Sequence, residues 1–321
     1  MMSFRKSIQQ TQRDHYQEVT DQIIAALERG IVPWRRSWNQ AGCGIPMNLT
    51  TGRAYRGINH LLLGLMQTIR FNDDPRWCSY AQAQSRGWQV RGGERGTTVI
   101  FYRRILKQNE ARDDGSIPFV QLMRSSSVFH ASQVEGIPAY NPPNFDSVPW
   151  QRPDAIEVIL RNSKADVRIG GGQAFFSPTT DHIQMPPTES FESAEGYAHV
   201  VSHELGHWVC SKRRLDINVP GRFGSAAYAA EEMRVDFAAS MVCANLGITT
   251  DVSNAAAYLA SWAEVLKNDK REIFRAAADA QRIADFILNF HPDFAVAAEA
   301  SAQVEADDKG TNAPEVTLEG A

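Results

Sequence analysis

Apolar residues recur at helical spacing from Tyr16 through Val19, Ile23, Ala26 and Leu27, and the run stops at Gly30. That pattern predicts an amphipathic helix over 14–29 with the glycine just past its end. A second helical run covers roughly 57–69, and Ser79 with Gln82 forms a capping-box signature for a short third helix ending at Gly87. The period then changes. Residues 97–105 and 119–131 read as two strands separated by the polar turn 109–116. Pro138, Pro142, Pro143, Pro149 and Pro153 crowd the next stretch, which predicts a linker poor in regular structure. Beyond it come a helix near 153–162, a strand over 166–169, the turn Gly170-Gly171-Gly172 and a strand over 173–176. The triglycine lacks the Lys-Ser/Thr and following helix of a phosphate loop, so it reads as a turn. Ser193 opens a helix with Tyr197, Val200, Val201, Leu205, Trp208 and Val209 at its apolar positions. Further helices are expected from Ser225, near 253–266 and over 269–290, the last two closing the second domain. From Ser301 the chain is acidic, with one lysine, and has the composition of a disordered tail.

At 321 residues the chain is long enough for about two domains with separate cores. The element pattern predicts an α+β protein of five segments: an arm over 1–13, a mixed α/β domain over 14–138, a linker over 139–152, a second domain over 153–295 and a tail over 296–321. A net charge of −4 argues against a nucleic-acid partner until it is divided along the chain. Residues 1–140 hold 18 Lys and Arg against 11 Asp and Glu, whereas the remainder holds 15 against 26. The basic half is rich in arginine, which suits phosphate forks and stacking on bases.

Aromatic side chains interleaved with cations are how proteins hold single-stranded nucleic acid. Trp34, Arg35, Arg36, Arg53, Tyr55, Arg56, Arg91 and Arg95 have that character and are the candidate DNA contacts. Trp38, Trp77, Tyr80 and Tyr102 share it, but Trp77 and Tyr80 flank an apolar helix and Tyr102 sits in an alternating strand. No helix-turn-helix or zinc-finger pattern appears, so the expected partner is single-stranded DNA bound with weak sequence preference. Cys43, Cys78, Cys210 and Cys243 form no C-x-x-C pair and read as free thiols of a reducing, cytoplasmic compartment. Neither a signal peptide nor a membrane span is expected.

The second half carries His203-Glu204-Leu205-Gly206-His207 on a predicted helix. Residues four apart on a helix lie one above the other, so His203 and His207 can grip one Zn²⁺. Glu204, displaced around the helix, is the candidate general base on water activated by that ion. The third ligand is expected from the helix opening at Ser225. Glu232 is the preferred candidate because Asp236, one turn on, can hold the free ring N–H of a ligating histidine; Glu231 is its rival. Tyr228 is a candidate oxyanion donor one turn before Glu232. His199 extends the histidine row, but positions 199 and 207 lie about 12 Å apart along a helix axis, too far for one ion. After His207 the chain lacks the glycine and third histidine of a metzincin, which leaves a two-His-plus-Glu, gluzincin-type site. Ile183–Met185 is expected as an edge strand that could hold an extended peptide substrate by strand addition.

These residues also carry a family likeness. Segments 19–34, 48–59, 77–84, 90–96 and 128–136 in the first half, with 183–186, 203–208 and 223–232 in the second, resemble the ArdC antirestriction proteins of conjugative plasmids. That family shares its N-terminal half with TraC-type plasmid primases. The resemblance covers about 14–290 and departs at Gly92, where the family usually carries a basic residue. It implies an N-terminal domain that binds single-stranded DNA, a C-terminal zincin-like domain, and a role in shielding incoming plasmid DNA from restriction. A DNA-directed protease of SprT-like type and an accessory module of priming are the competing readings. Priming is the weaker, since the chain has no D-x-D acidic cluster.

Overall fold

The computed structural model describes residues 14–35, 44–71, 74–106, 119–141, 151–217, 224–248 and 256–295. Arg36, the N-terminal arm, most of the proline-rich linker and the acidic tail lie outside these residues. The chain divides into two compact units that interleave in sequence.

The first unit begins with α1 (His15–Glu28). The Asp14 side chain accepts from the Gln17 N–H at 3.1 Å, satisfying one open donor of the first turn. Gly30, at φ +78°, turns the chain out of the helix. A four-stranded sheet follows in the order β1 (Met47–Asn48), β2 (Arg76–Ser79), β5 (Phe119–His130), β4 (Thr97–Leu106). β1 runs parallel to β2, and the other neighbours are antiparallel. Between β1 and β2 lies α2 (Ile58–Ile69), whose Leu63 packs with Trp77, Val99 and Val128 in one buried cluster. Burying side chains of that size stabilises the fold by roughly 1.5–3 kcal/mol each. The open edge of β4 is partly plugged by Asn59, which donates to the Ile100 carbonyl at 2.8 Å and accepts from its N–H at 2.7 Å. The expected capping box of α3 (Tyr80–Ser85) is present at both Ser79 and Gln82. β3 (Gln89–Val90) pairs with β6 (Val134–Glu135) in a small second sheet. α7 (Ala256–Asn268), expected with the second domain, groups with this unit. There Lys267 pairs with Glu28 at 2.7 Å, and Thr20 Oγ1 donates to the Lys270 carbonyl at 2.7 Å.

The second unit is built from α4 (Gln151–Ser163), β7 (Asp166–Ile169), β8 (Phe175–Ser177), β9 (His182–Met185), α5 (Ala194–Cys210), α6 (Ala226–Asn245) and most of α8 (Glu272–Leu288). Its sheet has the order β7-β9-β8, with β9 parallel to β7 and antiparallel to β8. This corrects the reading of Ile183–Met185 as an edge. β9 spends its backbone groups on neighbours at both sides, so a peptide could add only at β7 or β8. The triglycine turn leads from β7 toward β8, with Gly171 at φ +70°.

Cys78, Cys210 and Cys243 are buried free thiols, and burial pushes them up to about 11, 12 and 12 respectively. Such thiols are inert toward disulfide exchange at neutral pH. No described helix is long and apolar enough to cross a membrane.

Candidate metal centre

α5 starts where its sequence opens a helix: Ser193 accepts from the Gly196 N–H at 3.0 Å, and the apolar stripe of Val201, Leu205 and Val209 is buried. α6 starts in the same way at Ser225, which accepts from the Tyr228 N–H at 3.2 Å. The two helices pack closely at Gly206. A Cβ there would lie 2.7 Å from Cγ1 of Val235, a fully buried and β-branched side chain. This glycine therefore sets how near α6 can bring its carboxylates to the histidines of α5. Gly206→Ala should destabilise the protein by about 1–3 kcal/mol through overpacking. It should also weaken metal binding, both effects being readable from thermal unfolding with and without Zn²⁺; an unchanged midpoint in both conditions would refute the packing argument.

His203, His207 and Glu232 form the one group among the described residues whose ligand atoms converge closely enough to hold a metal ion, all within 4.8 Å of one another. His203 Nε2 and His207 Nε2 are 3.2 Å apart. Glu232 Oε2 lies 3.4 Å from the first and its Oε1 3.4 Å from the second. Two ligands about 2.0–2.1 Å from a tetrahedral ion stand about 3.3 Å from each other, so the donor spacing fits a zinc-sized cation.

The tautomer fits as well. His207 Nδ1 faces Glu231 Oε1 at 3.1 Å, an acceptor that holds the proton on Nδ1 and directs Nε2 at the cluster, where a bound cation would take the place of the ring's second proton. Burial opposes a charge on His207, but the carboxylates of Glu231 and Glu232 outweigh it and push its pKa up to about 10. Burial likewise opposes ionisation of Glu232, and the two imidazoles outweigh it, holding the carboxyl well below its ordinary range. With Glu204 buried on α5 beside these groups, the cluster is an acid-rich cradle around two imidazoles, a setting that favours a cation. Tyr228 sits half-buried in the first turn of α6.

Asp236 departs from expectation. Its carboxylate is taken up by Arg35, Trp34 and His199 rather than by a ring of His203 or His207. Arg35 binds it through two nitrogens, Nε at 3.0 Å, while Trp34 Nε1 donates at 2.7 Å and His199 Nε2 lies 3.6 Å away. Glu231 makes the histidine contact expected of Asp236. Glu231 has Val235 at its own i+4 position, and it is the neighbouring helix α5 that supplies the ring it serves. The only trace in the sequence is the adjacent Glu231-Glu232 pair itself, since successive helix positions fan apart and can meet different ring atoms. His199 is buried beside Asp236 and Cys243, and burial keeps its pKa low despite the carboxylate.

The DNA candidates are dispersed. Trp34 and Arg35 belong to the second unit and are buried, Arg35 at 8 % exposure, so in this arrangement neither is available to a phosphate or base. Their proximity to arginines and tryptophans in the sequence gave no sign of a carboxylate some two hundred positions away. Arg53, Arg56, Arg91 and Arg95 are exposed on the loops before α2 and β4, with Arg91 paired to Glu94 at 2.8 Å. Tyr55 packs against the Leu63–Trp77 core, and Asn48 Nδ2 donates to its hydroxyl at 3.3 Å. Of the remaining aromatics, Trp77 is fully buried and Tyr80 is exposed.

Comparison with known proteins gives these two units relatives. Residues 13–129 match the family model of the N-terminal domain of the antirestriction factor ArdC, and residues 154–279 match that of a zincin-like metallopeptidase. The chain is 40% identical over 287 residues to the uncharacterized protein y4eC of Sinorhizobium fredii, covering 87% of this chain and 92% of that one. It is 36% identical over 299 residues to a DNA primase TraC of Escherichia coli, covering 88% of this chain but 28% of the primase. The crystal structure of ArdC from plasmid R388 superposes with a TM-score of 0.72 in its metal-free form, at 35% identity over 88% of this chain and 99% of that one. The Mn(II)-bound form gives 0.73 at 34% identity, again over 88% of this chain and all of that one. With both halves matched in one chain and nearly the whole of a solved ArdC covered, this α+β protein, an ArdC N-terminal domain joined to a zincin-like domain, belongs to the ArdC family of antirestriction proteins.

Proposed function

We propose that the chain binds single-stranded DNA with little sequence preference and carries a zinc-dependent peptidase site, acting in antirestriction on DNA that enters a recipient cell. The observation that carries the peptidase half is the convergence of His203, His207 and Glu232 with Glu204 buried on the same helix. A zinc site with a purely structural task has no use for Glu204. When bound, the metal supplies Lewis acidity, which polarises a carbonyl and makes water easier to deprotonate. Glu204 is then the carboxylate that accepts the proton and returns it to the leaving amine. Glu231 keeps the His207 ring in the tautomer that presents Nε2. Tyr228 stands one turn before Glu232 and is the proposed donor to the developing oxyanion. The Mn(II)-bound form of the R388 relative supports a divalent metal as cofactor, and the ligand types, two imidazoles and a carboxylate, favour zinc.

The DNA half rests on the match to the ArdC N-terminal domain and on the arginine excess of residues 1–140. Arg53, Tyr55, Arg56, Arg91 and Arg95 remain its proposed contacts. The chain spans 28% and 20% of the two TraC primases it matches, and no polymerising chemistry is carried over from them. The test uses zinc-loaded full-length protein. Fluorescence anisotropy across a salt series should show selective binding of a single-stranded over a double-stranded oligonucleotide, with log affinity falling linearly in log salt. A quenched-fluorescent peptide library should be cleaved by wild type and left intact by Glu204→Ala with zinc still bound. Equal affinity for both DNA forms refutes the first half, and cleavage by Glu204→Ala refutes the second.

A further inference from the structure

The β4–β5 hairpin extends beyond the core that it covers. Side chains alternate across a strand, so Val99 and Phe101 share one face of β4. The register pairs Val99 with Ser126 and Phe101 with Arg124, which puts Val128, Ser126, Arg124, Leu122 and Val120 on that same face of β5. At one end of this face Val99 and Val128 are sealed against Leu63 and Trp77. Two residues on, the cover ends. Phe101 is 49 % exposed with Arg124 exposed directly across from it, and farther along the same face Val120 is 47 % exposed. The opposite face is different: Tyr102 hydrogen-bonds to Tyr16, and Ser125 Oγ lies 3.1 Å from His15 Nε2, so side chains of α1 occupy it.

Charge selects the occupant. Neither strand contains an aspartate or glutamate, while β4 carries Arg103 and Arg104 and β5 carries Arg124. An exposed aromatic ring directly across from an exposed arginine, on two paired strands that themselves carry no acidic residue, suits a polyanion that offers bare π-faces. Unpaired bases offer such faces, and bases stacked inside a duplex do not. We infer that the Phe101–Val120–Arg124 face of the hairpin is a platform on which bases of single-stranded DNA stack, with Arg124 serving the ring face or the adjoining phosphate. This rests on the proposed single-strand binding and names a surface for it that differs from the loop arginines.

The experiment titrates a labelled oligothymidylate with the full chain and three variants, Phe101→Ala, Phe101→Trp and Arg124→Gln. Phe101→Ala should weaken binding roughly 5- to 100-fold, the usual loss for one stacked base, and Phe101→Trp should retain it. Arg124→Gln, at an exposed position that the fold does not need, should lower the slope of log affinity against log salt by about 0.7 if it meets a phosphate, or weaken binding without changing the slope if it stacks. Wild-type affinity and slope in both Phe101→Ala and Arg124→Gln overturn the platform while single-strand binding stands. A wild-type chain that does not bind the oligonucleotide overturns the platform together with the reading on which it rests.

Discussion

Glu232→Gln should lower zinc affinity by roughly two to three orders of magnitude, and Glu231→Gln by only about 10- to 100-fold. The contrast follows from which histidine atom each carboxylate faces. Glu232 lies 3.4 Å from the Nε2 atoms of both His203 and His207, the atoms that converge on the cation. Glu231 lies 3.1 Å from Nδ1 of His207, on the far side of that ring. Apparent binding energies of about 10–16 kcal/mol for four-ligand zinc sites divide into roughly 2.5–4 kcal/mol per ligand, or about two to three powers of ten. Removing a partner that only fixes a tautomer loses one to two powers of ten. Competition of each variant against a chromophoric chelator gives the two constants, and the isosteric change keeps the helix packing intact. A larger loss in Glu231→Gln than in Glu232→Gln would exchange their roles.

The second large effect is expected at Asp236, which is 2 % exposed and holds Arg35, itself 8 % exposed. Asp236→Ala leaves a guanidinium buried without its carboxylate, a change that costs about 3–5 kcal/mol. For a unit of this size each kcal/mol lowers the thermal midpoint by about 2–4 °C, so a fall on the order of 10 °C is expected by calorimetry. Replacing both partners, as in Arg35→Met with Asp236→Leu, should recover much of the loss, because an apolar pair leaves no charge to desolvate. The pH dependence has a definite sign. Burial opposes ionisation of Asp236, but His199 and Arg35 outweigh it and hold its carboxyl below the ordinary aspartate range. The unfolded chain therefore binds this proton first as pH falls. The contribution is fully present above about pH 5 and is lost progressively below it, through the unfolded value of about 3.9 toward the lower folded value. Asp236→Ala should flatten the acid limb of the stability curve; an equally steep limb in wild type and variant would show that the carboxylate does not act in this way.

Trp34 and Arg35 stand among the tryptophans and arginines that suggested a base-stacking surface, and composition alone cannot distinguish a cation meant for phosphate from one bound to a distant aspartate. The exposed platform at Phe101 and Arg124 was overlooked for a related reason. Both lie in alternating strands whose outward ends look like any half-buried sheet until the extent of the cover is known. Asp236 was expected to hold the ring N–H of a ligating histidine because i and i+4 share a helix face, which is true but does not say which neighbouring residue that face meets.

Helices were legible because their signals are local. The Asp14, Ser79, Ser193 and Ser225 caps each act within three residues, and the four-residue spacing of His203 and His207 is set by the helix itself. The amino-acid sequence by itself thus carried the helices, the long strands of the hairpin, the candidate metal-binding motif of α5 and the likeness to ArdC. The tertiary structure alone decided that β9 is the central strand, that α7 joins the first unit, that Glu231 turns to His207 while Glu232 faces both rings, and that Arg35 is buried on Asp236. Each of these depends on residues brought together across long stretches of chain, through packing such as Gly206 against Val235, and no periodicity within one element encodes which partner it will meet.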